Sequence, residues 1–545
     1  MKVLYACIMV LVLSAALAVH GQVTQAPTTD SQIQALQNAL HEQQQQINRL
    51  HEELQQRDAA VQQVQLQLND LQLQASHGQV GQAVLENAVA HMSSPADPVE
   101  PVVVPEGPKT IAFRGVQITP GGYLSANTIF RTHNANSDVS DSFGSLPWNG
   151  SANGELSEFR FSARHSRFSL LFEGKLRDMK ATGYYEMDFL GASTNGNETQ
   201  TNGFAPRVRM LFANLDRKDG WSFMGGQMWS LVTANKKGIA PFTEDLPSEI
   251  DASYNVGFTY ARQLGFRVTK KVNDKFSFAF SVENPETVLN VQNPPANVMG
   301  FSTSTNATSP NNGFALSNTP GSTGVSTDLA PDLLAKVAFD PGYGHYEIKA
   351  VGRFFRDRMN GVTDTSKGGG LGFGVVLPVI PKKVDLSLQG LGGRGIGRFG
   401  TTSGPDVTLR PNGTVIPVLG YQASAGIVTH LNPKFDFYLY GGNEYYGRSA
   451  YLNSSNKWVG YGIPSDVLSG CSVEVMTGTQ ACNAQTRDTW EASPGFWYRI
   501  WKGKEGTVQY GMSYAYVHRK AWAGVGGNPT SIENIVMTSF RYYLP

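Results

Sequence analysis

The feature that most constrains this chain is a repeated alternation of apolar and polar residues. In residues 166–190, Phe168, Leu170 and Phe172 alternate with polar side chains, and the alternation resumes after a charged turn. Such period-two alternation is typical of β-strands that have one apolar and one polar face. The pattern predicts a hairpin, and it leaves open whether the apolar face meets a protein core or lipid.

Sixteen segments of this kind occur between residue 120 and the end of the sequence. Tight turns, such as 177–178 and 432–433, alternate with long loops, such as 232–261 and 447–490. The predicted strands are 120–131, 157–176, 179–190, 206–216, 220–231, 262–272, 275–284, 332–340, 344–356, 369–378, 382–394, 420–430, 434–446, 491–501, 506–518 and 532–543.

An even number of strands, with short turns at one end and long loops at the other, is typical of a bacterial outer-membrane barrel. We therefore predict an all-β fold in which residues 111–545 form a 16-stranded antiparallel transmembrane β-barrel. A soluble β-sandwich is the alternative, but it predicts loops of similar length at both ends. The apolar residues of the second predicted strand are odd-numbered up to Phe161 and even-numbered from Phe168. This change predicts a β-bulge near His165.

The residues before the barrel predict three further segments. Residues 1–18 combine a lysine with an apolar run that ends in small residues, which is typical of a secretory signal peptide. In residues 32–75, apolar residues recur at seven-residue steps, which predicts an α-helical coiled coil, with a disordered Gln-rich spacer as the alternative. The prolines of residues 93–110 predict an extended linker. No later apolar run is long enough for a membrane-spanning helix, so a membrane location requires a closed barrel.

The composition and the short motifs argue against several classes of function. Lys+Arg and Asp+Glu both number 44, and this balance argues against a nucleic-acid partner. A GxGxxG match at 390–395 ends a predicted strand and has no helical pattern after it, so it does not indicate a cofactor site. We expect no enzyme activity, no cofactor and no metal site. Cys471 and Cys482 remain after the signal peptide and predict one disulfide in an exported protein.

The polar residues between the lipid-facing ones should line the lumen. Arginine-rich walls favour anions, whereas arginines paired with lumen carboxylates would only keep the wall hydrated, and both interpretations stay open. The charged loop 232–261 would form a constriction or, alternatively, a solvated surface loop. The predicted lumen and constriction residues are Arg160, Arg164, Arg167, Arg207, Arg209, Arg267, Arg353, Lys236, Lys237, Glu244, Asp245, Glu249 and Asp251.

Three stretches, GGYLSANTIFRT (121–132), FRFSARHSRFSLLFEG (159–174) and GGQMWSLVTANKKGIAP (225–241), occur in an order that resembles the DcaP-like trimeric outer-membrane porins. The resemblance implies a homotrimer, a third loop folded into the pore, and uptake of small, often anionic solutes such as dicarboxylates.

We therefore expect a passive porin in the outer membrane of a Gram-negative-type bacterium, in contact with membrane lipid and small hydrophilic solutes. One alternative is a sugar-preferring porin in which Trp229 and Tyr184 stack on sugar rings. Another is a structural tether, in which the periplasmic coiled coil binds peptidoglycan or periplasmic proteins.

Overall fold

A computed structural model describes residues 110–135, 137–139, 143–191, 204–295, 298–299, 326, 328–359 and 362–545. The predicted signal peptide, the predicted coiled coil and all but the last residue of the predicted linker lie outside the described residues, and they stay predictions. Within the described residues, no helix is long and apolar enough to cross a membrane.

The described residues form strands connected by turns and loops, with four short 3-10 helices at Phe143–Ser145, Ala152–Gly154, Ala252–Tyr254 and Gly397–Phe399. The strands are β1 (Ile111–Phe113), β2 (Val116–Arg131), β3 (Glu158–Ser162), β4 (Arg167–Leu176), β5 (Met179–Gly191), β6 (Ala205–Asp216), β7 (Trp221–Trp229), β8 (Arg262–Lys271), β9 (Phe276–Glu283), β10 (Val298–Met299), β11 (Asp332–Phe339), β12 (His345–Met359), β13 (Val362–Ile380), β14 (Val384–Arg394), β15 (Val407–Leu409), β16 (Val415–Pro417), β17 (Leu419–Asn432), β18 (Phe435–Tyr446), β19 (Ser449–Leu452), β20 (Trp458–Tyr461), β21 (Thr486–Gly503), β22 (Gly506–Ala521) and β23 (Thr530–Tyr543).

The main sheet closes on itself through antiparallel pairing of β2 with β23, which sets Tyr123 opposite Tyr543 and Arg131 opposite Ile535. Because β3 and β4 both pair with β2, they are the two halves of one barrel strand. The barrel strands are β2, β3 with β4, β5–β9, β11–β14, β17, β18 and β21–β23. The prediction of a 16-stranded antiparallel barrel is confirmed. The pairs β15–β16 and β19–β20 are small hairpins within long loops.

The apolar face of the barrel points outward. Phe266, Ile348 and Leu371 are 71%, 68% and 70% exposed, whereas the charged Arg267 and Lys349 on the same strands as Phe266 and Ile348 are buried inside. A soluble sandwich would show the reverse arrangement, because its apolar face would cover a core. The outer face therefore has the apolar character that a lipid environment requires.

A one-residue bulge interrupts the barrel strand formed by β3 and β4. Ser162 lies opposite Asn127, and Arg167 lies opposite Tyr123, so four residues, 163–166, face only three on β2. The extra residue reverses the parity of the strand, which is why Phe161 and Phe168 are both exposed on the outer face. The bulge predicted near His165 is confirmed.

The long loops contact one another at one end of the barrel. Gln292 and Gly460 donate to each other's carbonyls, and Leu289 forms a parallel bridge with Val407. A disulfide joins Cys471 and Cys482 in the loop between β20 and β21. The opposite end carries only short turns and both ends of the barrel domain.

Candidate functional site

The loop between β7 and β8, residues 230–261, folds into the barrel and contacts several walls. The amide of Asn235 donates to Glu347 Oε2 on β12 at 3.1 Å, and the amide of Gly257 donates to Glu444 Oε1 on β18 at 3.0 Å. On a further part of the wall, Arg541 of β23 donates to the carbonyl of Ile250. Because these partners belong to widely separated strands, the loop runs across the lumen.

The wall carboxylates replace the strand partners that this loop lacks. A buried backbone amide needs an acceptor, and a carboxylate can accept several hydrogen bonds. Glu491 Oε2 accepts from the amide of Val256 at 2.6 Å. Glu444 accepts from Gly257 and also from the amide of Thr401, at 2.9 Å, in a second long loop. One buried glutamate therefore holds two loops.

A buried charge cluster on β11 and β12 anchors the start of the loop. Glu347 lies 3.0 Å from Nζ of Lys336 and 3.6 Å from Nζ of Lys349. Lys336 donates to the carbonyl of Thr233 at 2.6 Å and to Asn235 Oδ1 at 2.7 Å. The loop therefore provides neutral hydrogen-bond acceptors for Lys336. These acceptors are needed because the buried Lys336 shares the carboxylate of Glu347 with Lys349.

Two acidic residues in the far part of the loop have opposite environments. Asp251 Oδ2 lies 2.7 Å from Nε2 of His165, the residue in the β3–β4 bulge. Burial alone would raise the pKa of Asp251, but the contact with His165 holds that pKa well below its ordinary value. Glu249 is buried and faces Glu491, and burial together with this like charge raises the pKa of Glu249 well above its ordinary value.

Arginines of β4 and β6 share two carboxylates of β5. Arg207 binds Asp188 through two contacts, of 3.0 Å from Nε and 2.7 Å from Nη2. Arg209 bridges Glu186, at 2.7 Å, and Asp188, at 2.8 Å, and Arg167 lies 3.7 Å from Glu186. Three guanidinium groups therefore converge on two carboxylates.

A fourth arginine, Arg262, joins this group and was not predicted from the sequence. Its guanidinium lies 5.0 Å from the ring centre of Trp229 and 5.2 Å from that of Tyr260, and it donates to the Tyr260 hydroxyl at 2.9 Å. It lies within electrostatic range of Arg167, Arg207 and Arg209. We call these four residues, Arg167, Arg207, Arg209 and Arg262, the arginine cluster.

Comparison with known proteins places this geometry on a known fold. No family model and no curated protein matches the sequence. Among solved structures, the outer membrane channel DcaP of Acinetobacter baumannii aligns with a TM-score of 0.56 and 16% identity, over 79% of this chain and 98% of that one. The chain has a DcaP-like porin fold. OmpT of Vibrio cholerae (TM-score 0.42, 9% identity, 80% of this chain, 99% of that one) and Salmonella typhi OmpF (0.41, 11%, 80%, 100%) were also matched.

The charge in the DcaP-like lumen is unevenly accessible. The side chains of Arg167 and Arg207 are 27% and 33% exposed, so part of the arginine cluster faces open lumen. On the other side of the barrel, Glu444 and Glu491 are buried under the loops that they hold. The accessible charge around the cluster is therefore positive, with four arginines against two carboxylates.

The other predicted arginines lie outside the cluster and have local partners. Arg160 pairs with Glu158 at 3.2 Å, and Arg164 pairs with Asp138 at 3.1 Å. Arg267 is buried and donates to the carbonyl of Trp229 at 2.6 Å. Arg353 contacts Asp332 at 3.1 Å and Asp406, in the loop before β15, at 2.6 Å. Arg164, Arg267 and Arg353 thereby join separate chain segments, whereas Arg160 pairs within β3.

The six predicted loop residues are spread over different walls of the DcaP-like barrel. Lys236 and Lys237 are exposed, and Nζ of Lys236 lies 3.8 Å from Asp245. Burial raises the pKa of both Glu244 and Asp245, and Glu244 faces Arg267 and Lys336. Glu249 and Asp251 face Glu491 and His165, as described above. The structure does not bring the six together in one ring.

An aromatic patch adjoins the arginine cluster. The rings of Tyr184 and Phe242 meet edge to face at 4.8 Å, and Phe212 lies 5.8 Å from both. Phe242 is 52% exposed, and the Tyr184 hydroxyl donates to Glu186 at 3.0 Å. Trp229, which sugar stacking would require to be accessible, is buried against Phe258 and Tyr260. In the described part of the chain, no cluster of three His, Cys, Asp or Glu residues could hold a metal ion.

Proposed function

We propose that this protein is a passive outer-membrane diffusion channel that prefers small hydrophilic anions, above all solutes with two carboxylates. The observation that carries the proposal is the arginine cluster, in which four guanidinium groups meet only two carboxylates. Guanidinium groups match carboxylates through two-point contacts, as Arg207 already does with Asp188. An anion that enters the lumen finds the same kind of partner.

The two resident carboxylates also keep the binding weak. A channel must attract its solute yet release it, so a very tight site would block transport. Glu186 and Asp188 compete with the solute for the same guanidinium groups. A dicarboxylate can exchange with them one carboxylate at a time, which favours passage over capture.

The proposal includes a homotrimer in the outer membrane, with the coiled coil in the periplasm. Both ends of the barrel domain lie at the short-turn end, so residues before β2 would enter on the periplasmic side. The trimer is supported by the sequence resemblance described above. Migration of the unboiled protein on a gel tests it, because a trimer should separate into monomers only after heating.

Reversal potentials in a planar bilayer test the anion preference. In a tenfold KCl gradient, the wild-type channel should show the sign expected for chloride preference. The double variant Arg207→Gln/Arg262→Gln should shift the potential toward zero. Arg217→Gln, at an exposed turn where Arg217 pairs with Asp219 at 2.9 Å, is the matched control and should behave as wild type. Cation preference in the wild-type channel would refute the proposal.

A further inference from the structure

A band of basic side chains lies on the outside of the barrel, at the long-loop end of β12, β13 and β14. Arg356 and Arg358 share the outward parity of Ile348 on β12, and Lys367 shares that of Leu371 on β13. Arg394 ends β14 two residues after Gly392, which pairs with Leu371. Arg358, Lys367 and Arg394 are exposed.

The strand register makes these four residues neighbours. Arg356 lies opposite Thr365, so Lys367 is its diagonal neighbour on β13. Arg394 lies opposite Gly369, so Lys367 is its diagonal neighbour as well. Diagonal residues are roughly 7–8 Å apart, within reach of long side chains. We call Arg356, Arg358, Lys367 and Arg394 the outer basic band.

Two members of the band, Lys367 and Arg394, lack acidic partners among the described residues, and Arg356 donates to the carbonyl of Asp328 at 3.2 Å. Asp357 and Asp364 alternate to the inner side, where Asp357 is buried and Asp364 accepts from the amide of Val415 at 3.1 Å. Lys367 and Arg394 make no ion pair with any described residue, and Arg358 donates to the hydroxyl of Thr363 at 2.8 Å.

The band lies directly above the lipid-facing belt. Leu371 is exposed on the outer face, and Lys367 is four residues farther along β13, or about 13 Å at 3.3 Å per residue. Exposed Tyr421, opposite Gly392, marks the same border on β17. Aromatic residues at this border are typical of the interface between hydrocarbon and head groups.

We propose that the outer basic band binds the phosphate groups of phosphorylated glycolipid in the outward leaflet of the membrane. Clustered cations next to an apolar surface attract anionic lipid, and arginine binds phosphate oxygens through two-point contacts. The uncompensated charge of Lys367 and Arg394 then has its partner in the lipid. This inference rests on the proposed outer-membrane location but not on the solute preference of the lumen.

Retention of lipid by the purified protein tests this inference. The probe is bisphosphorylated lipid A, counted per barrel by native mass spectrometry. The triple variant Arg358→Gln/Lys367→Gln/Arg394→Gln should retain at least fivefold less lipid A than wild type. Lys382→Gln/Lys383→Gln/Lys434→Gln removes the same charge from exposed residues of the short-turn end and should retain lipid A as wild type does.

Two further measurements keep the outcome unambiguous. Lipid A without its phosphates should be retained poorly by all three proteins, and equal retention would overturn the assignment to phosphate. A triple variant that retains lipid A as well as wild type does would also overturn the proposal. A triple variant that changes from trimer to monomer would overturn it for another reason, because the outer basic band would then contact another copy of the chain. Heat-modifiable migration shows that each variant is folded. Ion currents recorded from the same samples separate a failure of lipid binding from a failure of the channel proposal.

Discussion

Arg207 and Asp188 face each other across β5 and β6 in a two-point ion pair, with contacts of 3.0 and 2.7 Å. Asp188 also accepts from Arg209 at 2.8 Å, so this one carboxylate balances two arginines. Its side chain is buried, whereas Arg207 reaches open lumen. The size of the positive charge that the lumen presents near Arg207 therefore depends on Asp188.

Removal of that carboxylate should strengthen the anion preference. In Asp188→Asn, the lumen near Arg207 loses one negative charge, which in water at 4 Å is worth about 1 kcal/mol, or roughly fivefold in local anion concentration. The reversal potential should move farther toward the chloride value. Asp219→Asn, on an exposed turn, should leave the potential unchanged, and a shift toward cation preference in Asp188→Asn would contradict the assignment.

Loss of the Glu347 charge should release the start of the lumen loop. Glu347→Gln leaves Lys336 and Lys349 buried without their carboxylate, a change that typically costs about 3–5 kcal/mol. We expect a lower midpoint of heat denaturation, noisier single-channel currents and faster proteolysis within residues 230–261.

The matched control for this variant is Glu173→Gln, which removes an exposed ion pair with Lys180. Such pairs contribute about 0–1 kcal/mol, so the control should remain close to wild type. Equal destabilisation of both variants would show that the buried cluster is not a special anchor.

Glu249 should make the barrel less stable as the pH rises. Its raised pKa means that the folded protein favours the protonated acid, so its contribution to stability is present below the ordinary value of about 4.3 and is lost as the pH rises toward the folded pKa. Glu249→Gln should therefore raise the denaturation midpoint at pH 8 and change it little at pH 4. A variant whose effect is the same at both pH values would refute the raised pKa.

Asp251 should have the opposite dependence. Its pKa is held well below the ordinary value of about 3.9, so its stabilising contribution is present above that value and is lost as the pH falls through the folded pKa. Asp251→Asn should lower the denaturation midpoint at pH 7 and lose that effect in strong acid. His165→Gln removes the same contact from the other side and should reproduce the loss at pH 7.

Phe242 should slow the passage of aromatic anions. The exposed ring of Phe242 packs against Tyr184 beside the arginine cluster, so a solute with both a ring and a carboxylate can contact both features. Benzoate should block the chloride current more than acetate does, and Phe242→Ala should remove most of that difference. Phe113→Ala, an exposed ring on β1, is the control. An unchanged difference in Phe242→Ala would exclude the patch from the solute path.

Period-two alternation was sufficient to predict the barrel strands, because each needs one apolar face. It even located the bulge near His165, since a parity change has no other simple cause. Arg262 was missed because it lies two residues before the lipid-facing Leu264, so the alternation predicts that it faces lipid too. Arg262 is the first residue of β8, however, where the chain leaves the lumen loop. The contact of Arg353 with Asp406 joins a strand to a distant loop, and no local pattern encodes such a pair.

The short loop hairpins were missed for a different reason. β15 and β16 contain three residues each, too few to establish a period. Their position depends on contacts between loops, such as the bridge of Leu289 with Val407. The local sequence pattern therefore determines the strands of the barrel wall, whereas tertiary contacts determine the positions of the loops.

The seam between β2 and β23 imposes an order on assembly. It pairs Tyr123 with Tyr543, so the sheet can close only after nearly the whole barrel sequence is present. Arg541, on the closing strand, also donates to Ile250 of the lumen loop, 291 residues earlier in the chain. Contacts so distant in sequence slow folding. We expect the loop to lie inside before the seam forms, so that the last step of folding both closes the wall and fixes the loop in the pore.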